Sequence, residues 1–253
     1  MAISLKVFKK ELRKKRYKKS LSVVPYAFTF ANATFGFLSM VHALEGNITL
    51  SALFILCAAF MDSIDGRLAR YFRVTSSLGM ELDSLCDAVS FCLAPMLLLY
   101  SSYEEASSFF IVALVMALCA GLFRLARFNT ISTKNKDDFF KGLPTTISAM
   151  FIASLVYYRA TLSSGIFAPL LEEQWLGMTV LLLAFLMISP IHFPSFKKRS
   201  LHAVIFRFLL FLTGALVLLS LFCNIPVFFI ATFTYILSGP VVGLLNYAKR
   251  LRA

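Results

Sequence analysis

An all-α, polytopic membrane helix bundle of about eight transmembrane helices is the fold this sequence predicts, and three observations predict it. Of its 253 residues, 59% are hydrophobic, against about 45–50% in an ordinary soluble domain. Apolar runs of about 17–22 residues recur along the chain, each long enough to cross a hydrocarbon core of roughly 30 Å. The charged residues, only 15% of the chain, gather between those runs. A large soluble helical protein would need polar helix faces, and most of these runs have none.

Taken in order, the expected spans are residues 24–43, 48–62, 84–101, 107–123, 142–159, 174–190, 203–222 and 225–246. The second ends in polar turns, so its helix is expected to run past the membrane surface to about residue 72. Segment 130–141 (TISTKNKDDFFK) reads as a polar loop, and Pro190 and Pro194 bracket a sharp turn at a helix end. Charge placement sets count and orientation. Nine of the 25 cations precede residue 20, in a basic segment spanning 1–20. With that segment in the cytoplasm, the inside loops carry Arg67, Arg70 and Arg73, then Arg124, Arg127, Lys134, Lys136 and Lys141, then Lys197, Lys198 and Arg199, then Lys249, Arg250 and Arg252. The outside loops carry Glu45, Glu104, Glu105, Glu172 and Glu173 but only Arg159 as a cation. An even number of spans satisfies the positive-inside rule and puts both termini on the cytoplasmic side of an inner or cytoplasmic membrane. The net charge of +12 thus reads as a topogenic signal with attraction to anionic lipid, not as nucleic-acid binding. The N-terminus does not read as a cleavable signal peptide, because its basic stretch is long and the run that follows is a full span.

Other chemistry-bearing residues carry less. Cys57, Cys86, Cys92, Cys119 and Cys223 lie in or beside apolar runs without metal spacing, and read as small hydrophobes. His42, His192 and His202 sit at span ends, and Trp175 is an interface anchor.

The run MDSIDGRLARYFRVTSSLGMELDSLCDAVS differs from the rest. At about 100° per residue, Asp62, Asp65, Gly66, Ala69 and Arg70 share an arc of roughly 140° on one helix, and Gly79, Asp83 and Asp87 share roughly 80° on the next. A short connection makes the two helices antiparallel, so the stripes can face each other. Four carboxylates so close repel one another, and a charged Asp costs roughly 3 kcal/mol at mid-bilayer, less near the surface. Arg70 alone is too little compensation, whereas two divalent cations balance four carboxylates. Oxygen ligands without His or Cys favour Mg²⁺, Mn²⁺ or Ca²⁺ over zinc. The small residues Gly66, Ala69 and Gly79 leave room for a bulky ligand beside the cations, or serve close helix packing. Arg70 is placed to reach a phosphate oxygen. The bland alternative is an ion path in a cation transporter, but acids gathered at one membrane face rather than near the midplane argue against it.

The pattern Asp62-x2-Asp65-Gly66-x2-Ala69-Arg70-x8-Gly79-x3-Asp83-x3-Asp87 resembles the signature of the CDP-alcohol phosphatidyltransferases, complete at all eight fixed positions. The likeness extends to the phosphatidylserine synthase branch through Pro25, Thr29, Asn32 and Gly36, the stretch GMELDSLCDAVSF followed by Ala94-Pro95, then Arg124-Leu-Ala-Arg127-Phe128-Asn129 and Gly142-Leu-Pro144. Tyr26 stands where the branch often has Asn, and Cys92 where Gly is common. This resemblance implies six core helices around a cytoplasm-facing polar cavity, usually in a homodimer. The core would cover residues 21–192, with 193–253 an additional transmembrane hairpin and basic tail. It implies that Asp62, Asp65, Asp83 and Asp87 ligate two divalent metals, Mg²⁺ or Mn²⁺ with Ca²⁺ as a further candidate. Gly66 and Arg70 would lie against the CDP portion of CDP-diacylglycerol, with Thr29, Asn32, Gly79 and Asp83 beside it, and Asp87 would be the general base. The implied acceptor is L-serine, with glycerol 3-phosphate or an inositol phosphate as the alternative. Arg124 and Arg127 could meet the serine carboxylate or a lipid phosphate, or serve only as positive-inside anchors, and Asn129 and Thr145 could add hydrogen bonds.

Overall fold

The structure is a computed structural model that describes residues 23–72, 76–132, 139–161, 172–194 and 229–240. The basic segment 1–20, the expected span 203–222 and the tail 247–253 lie outside the described residues. Helices α1 (Val23–Leu44) and α2 (Ile48–Phe72) form a hairpin whose tight turn places Gly46 at φ +79°, a conformation that suits glycine. The third rod runs from α3 (Ser77–Asp87) through a π-helical turn (Ala88–Leu93) into α4 (Ala94–Tyr100). Helix α5 spans Ser108–Ser132, strand β1 Phe139–Lys141, α6 Thr145–Thr161, α7 Glu173–Ile188 and β2 His192–Pro194. Helix α8 covers Phe229–Pro240.

Among the described residues, four stretches are long and apolar enough to cross a membrane: Val23–Leu44, Ile48–Ala69, Ser77–Tyr100 and Ser108–Thr130. Their outer faces carry large apolar side chains in the open, among them Phe37, Phe60, Val112, Met116 and Phe123. Such a surface belongs in hydrocarbon rather than water. Inward faces are built differently. On α1 the buried residues are Pro25, Thr29, Asn32, Gly36, Ser39 and Ala43, a stripe of small and polar side chains at helical spacing. Ala52, Ile55, Ala58 and Ala59 do the same on α2. Small residues let membrane helices approach closely, and polar ones bond across the interface. Ser39 Oγ lies 3.0 Å from Ser51 Oγ. Elsewhere α5 packs along α7 and α2 along α6, around a core that includes Ile55, Leu98, Leu99, Phe110, Leu143 and Ile152.

The largest departures from the expected spans are extensions past the apolar runs. Helix α6 instead starts at Thr145, three residues after the expected 142, and α7 ends at Ile188, two before the expected 190. The expected extension of α2 to about residue 72 is present. Helix α3 starts at Ser77, seven residues before the expected span at 84, and α5 runs to Ser132, nine past the expected end at 123. Hydropathy marks where the bilayer ends, but a helix continues while its backbone bonds and caps hold. Ser76 caps α3 by accepting from the Gly79 N–H at 3.0 Å. In segment 130–141, residues 130–132 extend α5 and 139–141 form β1. That strand pairs antiparallel with β2, with Phe140 opposite Phe193, so the two ends of the expected loop are regular structure.

The π turn follows Asp87 directly. Pro95 has no N–H for the carbonyl four residues back, and its ring crowds that carbonyl. The ladder widens instead, and the Ala94 N–H reaches Val89 O. This turn presses against α1. Ser90 Oγ donates to Asn32 O at 3.0 Å, and a Cβ on Gly36 would sit 2.7 Å from the Ser90 Cα. A second tight fit accommodates Cys92: a Cβ on Gly121 would stand 2.7 Å from its Sγ, so the glycine on α5 yields the space that the Cys92 side chain fills. Gly36→Ala therefore overpacks the α1–π-turn contact, and is expected to destabilise the protein by about 1–3 kcal/mol, read as a lowered Tm in detergent micelles.

Candidate functional site

Asp62 on α2 and Asp83 and Asp87 on α3 each place a carboxylate oxygen so that all three lie within 4.8 Å of one another. Three of the four acids on the two stripes thus meet in three dimensions. Asp65, one turn further along α2, is buried (4% exposed), and its Oδ2 lies 2.8 Å from Thr29 Oγ1. Helix α1 supplies a second donor: Asn32 Nδ2 donates to Asp87 Oδ1 at 3.1 Å. Thr29 and Asn32 are separated by three positions, so one face of α1 delivers both bonds. These two neutral donors orient the acids but leave their charges in place. Asp62, Asp83 and Asp65 all repel the Asp87 carboxylate.

The donor set fits divalent cations. It consists of carboxylates alone, the ligand type for hard cations, and Asp83 Oδ1 is buried with no hydrogen-bond partner among the described residues. A buried carboxylate oxygen without a donor is costly, and a cation at this point would satisfy it.

The nucleotide-side residues of the sequence reading flank this cluster. Gly66 follows Asp65 on α2, and Arg70 lies a turn further, its side chain outside the described set. Gly79 stands at the exposed start of α3, where a Cβ would come 3.2 Å from Tyr26 Cε1. Tyr26 is tied in by its hydroxyl, 2.8 Å from Ser76 Oγ, so this departure from the branch pattern helps hold the α3 cap.

The two arginines of α5 have different surroundings. Arg124 is more than nine-tenths buried. Its Nη1 donates to Thr145 Oγ1 at 3.3 Å, its Nε has no partner among the described residues, and it lies within electrostatic reach of Asp87. Arg127 spends its guanidinium on backbone: Nη1 on Ile188 O at 2.8 Å, Nη2 on Lys141 O at 2.8 Å and on Met187 O at 3.3 Å. It closes the last carbonyls of α7 and joins them to β1. Gly142, at φ +83°, sits against the same group, because a Cβ there would meet Met187 O and come 2.8 Å from Arg127 Nη2. Asn129 bridges α5 to α3, accepting from Ser84 Oγ at 3.1 Å and donating to Glu81 Oε2 at 3.3 Å. Ser84 and Glu81 lie within the stretch GMELDSLCDAVSF, but the sequence reading does not single them out as site residues, since spacing alone does not mark them apart from other polar residues.

Comparison with known proteins gives the family. The family model described as CDP-alcohol phosphatidyltransferase matches residues 22–189. The CDP-diacylglycerol–serine O-phosphatidyltransferase of Bacillus subtilis (strain 168) is 33% identical over 182 residues, covering 71% of this chain and 94% of its own. The protein of that name from Helicobacter pylori (strain J99) is 33% identical over 181 residues, or 70% of this chain and 74% of its own. The archaetidylserine synthase of Methanothermobacter thermautotrophicus is 29% identical over 177 residues, or 69% of this chain and 71% of its own.

Mn²⁺ titrated into the purified protein without lipid, followed by electron paramagnetic resonance, tests the cation fit. Thr29→Ala removes the bond that orients Asp65, together with the hydroxyl's contact to the Pro25 carbonyl, and is expected to weaken Mn²⁺ binding about tenfold. Asp83→Asn, which removes a ligand atom, is expected to weaken it further.

Proposed function

The chain belongs to the CDP-alcohol phosphatidyltransferase family, and on that premise we propose that it transfers the phosphatidyl group of CDP-diacylglycerol to the hydroxyl of L-serine, giving phosphatidylserine and CMP. The observation that carries this reading is the convergence of Asp62, Asp83 and Asp87 within 4.8 Å, beside a buried arginine with a donor to spare. Such a site suits a diphosphate on one side and a small anion on the other.

Divalent cations held by Asp62, Asp65, Asp83 and Asp87, two by charge balance and Mg²⁺ or Mn²⁺ by ligand type, would offset charge on the diphosphate and on departing CMP. The chain's own residues do the rest. Thr29 and Asn32 hold Asp65 and Asp87 in fixed rotamers, so the acids need not reorganise as charge moves. Gly66, Gly79 and Arg70 would lie against the nucleotide, with Asp83 of the cation site beside it. Asp87 accepts the serine hydroxyl proton as the oxygen attacks the phosphorus bearing diacylglycerol. A new O–P bond forms, the P–O bond to CMP breaks, and the proton rests on the carboxylate.

Arg124 receives the serine carboxylate, because a guanidinium offers a paired fork of donors to a carboxylate. Arg127 and Asn129 serve the acceptor at one remove, Arg127 by holding α7 and β1, and Asn129 through Ser84 on the acid-bearing helix. This arrangement favours serine over glycerol 3-phosphate or an inositol phosphate. A phosphate wants a denser basic pocket, and Arg127 is already committed to carbonyls. The positive-inside pattern supports a site and termini on the cytoplasmic side, and the family resemblance makes a homodimer the expected assembly.

CMP release from CDP-diacylglycerol by purified protein with Mn²⁺ or Mg²⁺ and a panel of alcohols tests the acceptor. L-serine is expected to drive release, and release with glycerol 3-phosphate but not serine refutes the assignment. Asp87→Asn should lower kcat by about a hundredfold or more while CDP-diacylglycerol binding changes far less. For Arg124→Ala the expectation is a rise of about tenfold or more in the KM for serine, with the KM for CDP-diacylglycerol little altered.

A further inference from the structure

The start of α6 is buried, and so is the cation beside it. Gly142, Leu143 and Thr145 are all withdrawn from the surface. The turn that leads into the helix is fixed from outside, the Gly142 N–H donating to Ile191 O at 2.9 Å and the Leu143 N–H to Leu186 O at 3.0 Å. Pro144 has no N–H to satisfy. The first N–H groups of a helix find no acceptor within it, and a buried helix start without one is costly. Among the described residues the Ser148 N–H is answered by Pro144 O at 3.1 Å, whereas those of Thr145, Thr146 and Ile147 have no backbone acceptor. A helix N-terminus carries roughly half a positive charge, and here a full one stands against it. Arg124 Nη1 donates to Thr145 Oγ1 at 3.3 Å. That guanidinium is more than nine-tenths buried, and its Nε has no partner among the described residues.

Two positive ends buried side by side call for an anion that both can share. The place also lies close to the acids. A Cβ built on Gly121 of α5 would come 2.7 Å from Cys92 Sγ and 3.7 Å from Thr145 Cγ2, so the start of α6 and the π turn meet across that glycine. Cys92 follows Asp87 by five residues, little more than one helical turn. We propose that the N-terminus of α6 is the second half of the acceptor's carboxylate subsite, the Thr145 hydroxyl and the N–H groups around it taking the carboxylate jointly with Arg124. The inference rests on the serine reading and deepens it, because it makes Thr145 a specificity-determining residue. Its Oγ1 accepts from Arg124, and the hydroxyl hydrogen remains to donate. Helix N-termini take carboxylates as they take phosphates. A subsite built only of donors also rejects a neutral amide in place of the carboxylate, since the amide N–H groups would face other N–H groups.

The experiment measures kcat, Tm and the KM for each substrate in the unaltered protein, Thr145→Val and Thr145→Ser, with L-serine and with L-serinamide as acceptors. Thr145→Val keeps the shape of the side chain and removes the hydroxyl, and Thr145→Ser keeps the hydroxyl. In the unaltered protein L-serinamide is expected to show a KM about a hundredfold above that of L-serine, or no turnover. Thr145→Val is expected to raise the KM for L-serine about tenfold and narrow the gap to L-serinamide. The KM for CDP-diacylglycerol and kcat should stay as they are, and Thr145→Ser should restore the L-serine KM. Equal KM values for the two acceptors in the unaltered protein overturn the inference without any variant. An unaltered L-serine KM in Thr145→Val overturns it as well. A rise confined to the KM for CDP-diacylglycerol assigns the anion site to a lipid or nucleotide phosphate and overturns it too. So does a joint rise of both KM values with a lowered Tm that Thr145→Ser shares, which marks a packing role only. Absence of serine-dependent CMP release from the unaltered protein overturns the proposed function itself, and this inference with it.

Discussion

Asp62, Asp83 and Asp87 bring their oxygens within 4.8 Å of one another at the ends of helices whose remaining length is apolar enough for hydrocarbon. Like charges at that separation, partly withdrawn from water, repel strongly because little solvent screens them. The surrounding structure is a set of answers to that repulsion. Helix α1 answers with neutral donors, Thr29 to Asp65 and Asn32 to Asp87. Helix α5 answers with a buried cation, Arg124. Neither removes the excess negative charge, and Asp83 Oδ1 has no hydrogen-bond partner among the described residues. Divalent cations and a diphosphate are the natural complement to that arrangement.

Holding such a cluster together requires stiff helices in close contact. Gly36 lets α1 come against the π turn, and Ser90 then ties the turn to the Asn32 carbonyl. The same Asn32 bonds Asp87 through its side chain, so one residue links backbone packing to the orientation of a reacting carboxylate. On the opposite side, Arg127 gathers three carbonyls from α7 and β1. It acts as a structural clasp one turn away from Arg124. Two arginines three residues apart on one helix thus divide the work, one buried beside the acids and one closing the end of a neighbouring helix.

Much of the site was legible in the sequence. The acid stripes could be phased from 3.6-residue periodicity, and their sharing of one site follows from a short connection between two helices. Thr29 and Asn32 entered through resemblance and proved to touch two of the acids. Less legible were the helix limits, since hydropathy reports the bilayer boundary and not the last backbone hydrogen bond. The π turn was missed although Pro95 signals it, because a proline just inside a helical stretch is equally compatible with a kink or a new helix start. The strands β1 and β2 were missed because their residues pair across about fifty positions of chain.

Local pattern alone determined that this chain is a helical membrane protein with four acids on two facing stripes, because periodicity, hydropathy and charge are properties of neighbouring residues. Tertiary structure decided which cation faces those acids. Arg124 and Arg127 are equivalent in sequence, both basic and both near a span end, and only the packing of α6 and α7 against α5 buries one and commits the other to carbonyls. It also decided that Tyr235 of α8 stacks on Phe193 of β2, about forty residues away along the chain. Contacts of that range are set by how whole helices fit together, and no local rule of composition or spacing encodes them.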